Sequence, residues 1–248
     1  MNALILAAGY ATRLYPLTLS QAKPLLPVAG KPIIERVVEH LLSISDLKML
    51  YIVTNHKFAQ QFVDWTKDYR QRNKTAKFEV LDDGSTSDAD KLGAIGDIFF
   101  ALEERNLYSE DILVVAGDNL FSQSLANFAD FAREHPATIG VYDVRSLEEA
   151  KKYNQLTTNP AGIVTDFIEK PTHSSSTLCG IALYYYTPEA LRLLKTYLLE
   201  GNNPDQPGLF VQWLHKRIDI FTYPIDGLWY DIGSHESLAE ANEVFSGR

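Results

Sequence analysis

The stretch "ALILAAGYATRLYPL", residues 3–17, joins an apolar run to a segment of small residues, one arginine and a proline. The run 3–6 is typical of a buried strand. The next three residues, 7–9, are small, so their backbone N–H groups could approach a phosphate closely. Arg13 adds a planar cation suited to phosphate oxygens, and Lys23 follows within the same long loop. The stretch therefore indicates a strand that ends in an anion-binding loop.

Other interpretations of this loop are weaker. A dinucleotide-binding turn needs G-x-G-x-x-G, and only Gly9 matches that pattern. A phosphate-binding loop of the Walker type needs Gly-Lys followed by Ser or Thr, which this segment lacks. An ordinary loop between a strand and a helix stays open as an alternative.

Composition limits the class of protein. The chain has 248 residues, 46% of them apolar, so we expect a sizeable buried core. It contains no run of about 18 apolar residues and no basic leader at the N-terminus, which predicts a protein without a membrane span or signal peptide. The formal net charge of −9 argues against binding nucleic acid, and the single cysteine, Cys179, favours a reducing, cytoplasmic location.

Strands and helices alternate through the first half of the chain and strands prevail in the second. Strands are predicted at 3–6, 49–54, 77–81, 111–116, 137–144, 162–170, 178–186 and 218–224. Helices are predicted at 31–42, 58–71, 94–105 and 122–134, after Thr187 and after Ser234, with a loop at 200–208. This pattern predicts an α/β fold, three-layer α/β/α and Rossmann-like, with a mixed, mainly parallel sheet. We expect one domain, 1–248, whose second half faces the substrate.

Two aspartates follow predicted strands far apart in the chain. Asp118 comes after "ILVVAG" and Asp231 precedes the helix that Ser234 would cap. Either residue alone could belong to an ordinary turn. Together they could supply two oxygen ligands to one Mg²⁺, an ion that also binds water and phosphate oxygens.

The extended pattern "LAAGYATRLYPLT…AKPLLPVAGKPII" resembles the opening signature of the sugar-phosphate nucleotidyltransferases. These include glucose-1-phosphate thymidylyl- and uridylyltransferases and mannose-1-phosphate guanylyltransferase. The resemblance extends from Ala3 to Phe245 and implies a single catalytic module, with a nucleotide-binding half (1–135) and a sugar-phosphate-binding half (136–248). Two departures stand out, because Ala11 replaces a usual glycine and Ala22 a common proline. The resemblance implies transfer of a nucleotide from a nucleoside triphosphate to a sugar 1-phosphate, with release of pyrophosphate.

The same resemblance assigns roles to residues. As catalytic residues it implies Arg13, Lys23 and Asp118. As nucleotide-binding residues it implies Leu6, Ala7, Ala8, Gly9, Arg13, Gly93 and Asp118. As sugar-phosphate-binding residues it implies Asn119, Asn154, Glu169, Lys170 and Gly180, and as ligands of Mg²⁺ Asp118 and Asp231. Asn154 departs from the family, which often has glycine there, so it could alter the choice of sugar.

Two other functions stay open at this point. A cytidylyltransferase could use the same core on a phosphoalcohol such as phosphocholine, although "EKP" at 169–171 favours a sugar. A non-catalytic homologue that senses nucleotides would be expected to lose the charged residues, which this chain retains. The expected partners are therefore the two small-molecule substrates, without nucleic acid or membrane, and a homo-oligomer is compatible with the sequence.

Overall fold

The structure, a computed structural model, describes residues 1–247. The strands are β1 (Asn2–Leu6), β2 (Pro27–Val28), β3 (Lys31–Pro32), β4 (Leu50–Thr54), β5 (Phe78–Asp82), β6 (Ile112–Ala116), β7 (Asn119–Phe121), β8 (Ala137–Asp143), β9 (Asn154–Thr158), β10 (Val164–Glu169), β11 (Leu178–Tyr186), β12 (Phe221–Pro224) and β13 (Trp229–Asp231). The helices are α1 (Ile33–Leu42), α2 (Ala59–Arg72), α3 (Ala94–Arg105), α4 (Ala126–Ala132), α5 (Leu147–Ala150), α6 (Pro188–Leu199), α7 (Pro207–Leu214) and α8 (His235–Ser246). None of the helices in residues 1–247 combines the length and the apolar character needed to cross a membrane.

The chain forms two compact units. The first consists of Met1–Gly93, Val115–Ala126 and Gly227–Arg248, and the second of Ala94–Val114 and Asn127–Asp226. The chain therefore leaves the first unit and returns to it twice. This division differs from the predicted cut between residues 135 and 136, because α3 belongs to the second unit and α8 to the first.

The first unit is built on parallel strands. β1 pairs with β4, and β4 pairs with β5, all in parallel. Because the carboxyl ends of parallel strands meet at one edge, the loops after these strands leave from the same side, where such sheets bind ligands. A second, antiparallel pair, β7 with β13, places Asp231 opposite Asn119. The pairing of β7 with β13 therefore brings together two residues that are far apart in the sequence.

The opening loop of the first unit is anchored by its own apolar side chains. Leu14 and Leu26 from the loop pack in a buried cluster with Ile232 and with Phe245 of α8. Ser234 caps α8 by accepting a hydrogen bond from the backbone N–H of Ser237, as the sequence predicts. Leu14 and Leu26 therefore anchor the loop to the core, while Tyr15, Leu17 and Leu19 of the same loop are exposed.

The second unit contains a mixed set of strands. β8 pairs in parallel with β12 and antiparallel with β11, and β9 pairs antiparallel with β10. The pairing of β11 with β8 is irregular between Gly180 and Tyr184. Three consecutive tyrosines, residues 184–186, end β11. All three are buried, because both faces of β11 are covered.

The predicted elements agree with the structure except in short segments. The elements that were not predicted are β2, β3, β7, β9, β13, α5 and α7, and α7 begins at Pro207, inside the predicted loop 200–208. Pro32 precedes α1 as its N-cap instead of lying in the first turn. These differences concern element ends and short elements, where local pattern carries least information.

Candidate functional site

A buried threonine sets the shape of the loop after β1. Thr18 is fully buried, and its hydroxyl donates a hydrogen bond to the carbonyl of Ala11 at 2.8 Å. Ala11 has φ 50° and ψ 45°, the left-handed conformation that glycine adopts without strain. The sequence left the geometry at Ala11 uncertain, and the structure shows that the alanine keeps the conformation expected of the usual glycine.

Two amide side chains tie this loop to the region around α2. Asn55 donates from Nδ2 to the carbonyl of Ala8 at 2.8 Å, and Gln61 donates from Nε2 to the carbonyl of Ser20 at 2.8 Å. Gln61 also accepts a hydrogen bond from the backbone N–H of Ala22 at 3.1 Å. A proline at position 22 has no N–H, so this second departure from the family supplies a donor that Gln61 uses.

The loop borders a cavity of about 300 Å³ in the first unit. Six of the predicted residues line it: Leu6, Ala7, Gly9, Arg13, Lys23 and Asp118. Tyr10, Asp88 and Lys91 also line it, and sequence reasoning missed them. Ala8 and Gly93, which were also predicted, do not line the cavity. The carbonyl of Ala8 accepts a hydrogen bond from Asn55, and Gly93, just before α3, has φ 80°.

The two predicted metal ligands share one hydrogen-bond donor. Nδ2 of Asn119 lies 3.0 Å from Oδ1 of Asp118 and 3.4 Å from Oδ1 of Asp231. Gly117 holds the end of β6 against β1, because its N–H donates to the carbonyl of Leu6 at 2.9 Å. A Cβ at Gly117 would lie 3.1 Å from that same carbonyl oxygen, so the close approach requires glycine.

Cations face this acidic pair. Lys23 forms an ion pair with Oδ2 of Asp118 and donates to the carbonyl of Ile232 at 2.8 Å. Burial and the negative charge of Asp118 raise the pKa of Asp231, and Lys23 and Arg13 oppose that rise only in part. Burial is the larger cause of this rise, so the ionised form of Asp231 is disfavoured in its half-buried place, and a divalent cation bound beside it would stabilise that form.

The donor set fits Mg²⁺. Carboxylate oxygens are its preferred protein ligands, and it is bound by one or two of them together with water and phosphate oxygens. Within residues 1–247 no group of three or more His, Cys, Asp or Glu side chains could hold a metal by itself. Asp118 and Asp231 would therefore hold the ion only together with ligands from solvent or substrate.

In the second unit, Asn154 is turned toward Gly180. Its Oδ1 accepts from the backbone N–H of Gly180 at 2.7 Å, and its Nδ2 donates to the carbonyl of Gly180 at 2.8 Å. The side-chain amide thus pairs with Gly180 as a neighbouring strand would. This contact lies at the start of the irregular part of β11. Asn154 and Gly180, two of the predicted sugar-phosphate-binding residues, therefore lie together, and their polar groups satisfy each other.

Glu169 and Lys170 lie at the end of β10. The carboxylate of Glu169 packs against Gly208, where a Cβ on residue 208 would overlap Oε2 of Glu169. The backbone N–H of Glu169 donates a hydrogen bond to Oε1 of Gln212 at 3.0 Å. Burial raises the pKa of Glu169 to about 7, and Lys170 lowers it by less. Lys170 has φ 45° and an exposed side chain. Strain of this kind is often found at functional positions.

The chain is similar to known proteins along nearly its whole length. Residues 2–246 match the family model of the nucleotidyl transferases. The chain is 29% identical to a glucose-1-phosphate adenylyltransferase of Geobacillus stearothermophilus over 97% of this chain and 64% of that protein. It is 24% identical to the bifunctional protein GlmU of Methanocaldococcus jannaschii, over 98% of this chain and 54% of that protein. It therefore spans about half to two thirds of the length of these relatives.

Solved structures share the fold. A Bacillus anthracis protein assigned as a glucose-1-phosphate thymidylyltransferase, crystallised with sucrose, superimposes with a TM-score of 0.84 at 22% identity, over 100% of this chain and 96% of that one. A UDP-glucose pyrophosphorylase complexed with UDP-glucose gives a TM-score of 0.81 at 24% identity, over 99% and 98% of the two chains. These likenesses confirm the predicted mixed, mainly parallel α/β fold with flanking helices.

Proposed function

The chain belongs to the nucleotidyl transferase family, as its opening signature indicates, and we propose that it joins a nucleoside triphosphate to a sugar 1-phosphate. A phosphate oxygen of the sugar 1-phosphate forms a bond to the α-phosphorus, while the bond from that phosphorus to the bridging oxygen breaks. Pyrophosphate leaves with the electron pair, and an NDP-sugar is formed. The observation that carries the proposal is the loop cavity bordered by Arg13, Lys23 and Asp118.

The first unit would bind the triphosphate. Backbone N–H groups around Ala7 and Gly9 can approach phosphate oxygens, because neither side chain obstructs them. Arg13 would hold the departing phosphates with its planar guanidinium group. Lys23, once released from Asp118 by competing charges, would neutralise the α-phosphate. No protein nucleophile is required, because positioning and charge neutralisation supply most of the catalysis in phosphoryl transfer.

Asp118 and Asp231 would hold Mg²⁺. The ion would supply neutralisation of the charge that develops on the phosphate oxygens. A conservative change tests this role: we predict that Asp231→Asn raises the Mg²⁺ concentration needed for half-maximal rate, since one charged ligand is lost. A magnesium titration of pyrophosphate release measures it, and an unshifted midpoint would remove Asp231 from the metal site.

The second unit would bind the sugar 1-phosphate. Glu169 offers a carboxylate to sugar hydroxyls, and Lys170 offers an ammonium group to the phosphate. Gly180 and Asn154 would then form the wall of the sugar site through packing, since their amide groups are paired with each other.

A cytoplasmic location remains a prediction that rests on Cys179.

Release of pyrophosphate tests the proposal directly. The purified chain is incubated with Mg²⁺ and a matrix of the common ribo- and deoxyribonucleoside triphosphates against several hexose 1-phosphates, with phosphocholine as a further acceptor. We expect pyrophosphate from one or a few sugar pairs, which also identifies the base and the sugar. Activity with phosphocholine alone would establish the phosphoalcohol alternative, and silence across the matrix would reject nucleotidyl transfer.

A further inference from the structure

Both polar atoms of the Asn119 side chain are hydrogen-bonded within the first unit. Its side chain is only 2% exposed, and its Nδ2 faces the carboxylates of Asp118 and Asp231. Its Oδ1 accepts a hydrogen bond from the indole Nε1 of Trp229 at 2.8 Å. Both ends of the amide are therefore engaged within the first unit, which disagrees with the sugar-binding role that the family resemblance implies for this residue.

The indole determines which way the amide faces. The Trp Nε1–H group can only donate, so it requires the oxygen of Asn119, not the nitrogen. The nitrogen must then point to the opposite side, where the two Oδ1 atoms lie. Trp229 is 7% exposed and lies in β13, two residues before Asp231. The register of β13 with β7 places Asp231 opposite Asn119. The same short sheet thus fixes the donor, the amide and one carboxylate.

We propose that Trp229 and Asn119 position the carboxylates of Asp118 and Asp231 for a divalent cation. The inference rests on the proposed metal site. Two neighbouring carboxylates repel each other. Lys23 pairs with Asp118, whereas the amide of Asn119 faces both carboxylates and can hold them toward one point. One NH₂ group carries two hydrogens, enough for one hydrogen bond to each carboxylate, and bonds to ionised groups are the stronger kind. Ligand oxygens that are already convergent need less reorganisation when the ion arrives.

The size of the effect follows from comparable metal sites. Partners that orient metal ligands usually change metal affinity by about 10–100-fold when they are removed. Trp229→Phe keeps most of the ring and removes only the donor, so the amide of Asn119 can then rotate. We expect it to weaken binding of Mn²⁺, a spectroscopic substitute for Mg²⁺, within that range. Asn119→Ala, which removes both hydrogen bonds to the carboxylates, should weaken binding at least as much.

The probe is Mn²⁺ alone, titrated onto the folded chain without nucleotide or sugar and followed by the electron paramagnetic resonance signal of the free ion. Trp65→Phe is the matched control, because it makes the same substitution in the same unit, where Trp65 packs against Tyr69 and Phe78. It should bind Mn²⁺ like the wild type. Thermal unfolding of each variant shows whether the variant is folded.

Each outcome bears on the inference. Weaker Mn²⁺ binding in folded Trp229→Phe, with an unchanged KM for the sugar 1-phosphate, supports a positioning role. Equal Mn²⁺ binding in that variant and the wild type overturns the role, and a raised sugar KM in Asn119→Ala with unchanged Mn²⁺ binding returns Asn119 to the sugar site. Wild-type protein that releases pyrophosphate but binds no Mn²⁺ would overturn the metal site and this inference together, while nucleotidyl transfer would stand.

Discussion

Replacing Ala11 by glycine should make the protein more stable. Ala11 adopts φ 50° and ψ 45°, and the carbonyl of this residue is held there by the hydroxyl of buried Thr18. In this conformation the Cβ of an L-residue crowds the following carbonyl oxygen, at a cost of roughly 1–2 kcal/mol. Glycine removes the crowding and leaves the hydrogen bond from Thr18 in place, because that bond uses only the backbone of residue 11.

The gain is reduced by the unfolded state. Glycine increases the conformational entropy of the unfolded chain, which costs about 0.4–1 kcal/mol relative to alanine. The two ranges differ by about 0–1.6 kcal/mol, and their midpoints predict that Ala11→Gly raises the free energy of unfolding by about 0.8 kcal/mol. For a chain of this size, this corresponds to an increase of about 1–4 °C in the unfolding temperature. Urea denaturation and differential scanning calorimetry measure both quantities.

Ala161 provides the control. It lies in an exposed turn, where its N–H donates to Oδ1 of Asn159 at 3.0 Å, and it is not among the positive-φ residues that include Ala11. Ala161→Gly keeps that hydrogen bond and has only the entropic cost, so it should lower the free energy of unfolding by about 0.4–1 kcal/mol. If Ala11→Gly is destabilising to the same extent as Ala161→Gly, the left-handed strain attributed to Ala11 does not exist.

Other predictions concern charge and backbone donors. Arg13→Ala should lower the rate of pyrophosphate release by about 10³–10⁵, as for comparable cations in phosphoryl transfer, and unchanged turnover in a folded variant would exclude Arg13 from the mechanism. Arg72 lowers the pKa of Glu35 below its ordinary 4.5 through two hydrogen bonds at 2.8 and 3.0 Å. The stability that this pair contributes is therefore present above about pH 4.5 and is lost as the pH falls through the lower pKa of the folded state. Because Arg72 is partly exposed, Arg72→Met should lower the free energy of unfolding by only about 1–2 kcal/mol at pH 7, as measured by urea denaturation. The loss should be much smaller near pH 3, where protonation of Glu35 weakens the pair, and an equal loss at both pH values would contradict the charge pairing. Ala22→Pro is compatible with φ −62° but removes the hydrogen bond from the backbone N–H of residue 22 to Gln61. The loss of this bond and the lower entropy of the unfolded chain should nearly cancel, so a change in the free energy of unfolding above about 2 kcal/mol by the same assay would contradict the prediction.

The alternation of strands and helices was predictable because it depends on short-range periodicity. α1, for example, shows its buried stripe directly in the sequence, and β1 is an uninterrupted apolar run. The antiparallel pairing of β7 with β13 was not predictable in this way. These strands are three residues long and far apart in sequence, so nothing local specifies that Asp231 lies opposite Asn119.

The candidate phosphate loop was predictable from its chemistry, but its supports were not. Arg13 and Lys23 stand out in the sequence because cations near small residues have an evident use. Asn55 and Gln61 read as ordinary polar residues of a strand end and a helix. Only the fold shows that their side chains hold the carbonyls of Ala8 and Ser20. Residues that bind a ligand carry a chemical signal, whereas residues that bind the backbone carry almost none.

Asn154 illustrates the limit of reasoning from residue type. An asparagine where relatives often have glycine suggests a new group aimed at the substrate. In the structure the amide instead forms two hydrogen bonds with the backbone of Gly180, at 2.7 and 2.8 Å. These bonds satisfy backbone groups of β11 where its pairing with β8 becomes irregular, and a buried backbone group without a partner would be costly. The departure at 154 is thus explained by the pairing of β11 before any choice of sugar is considered, because an amide satisfied on both sides has little to offer a hydroxyl.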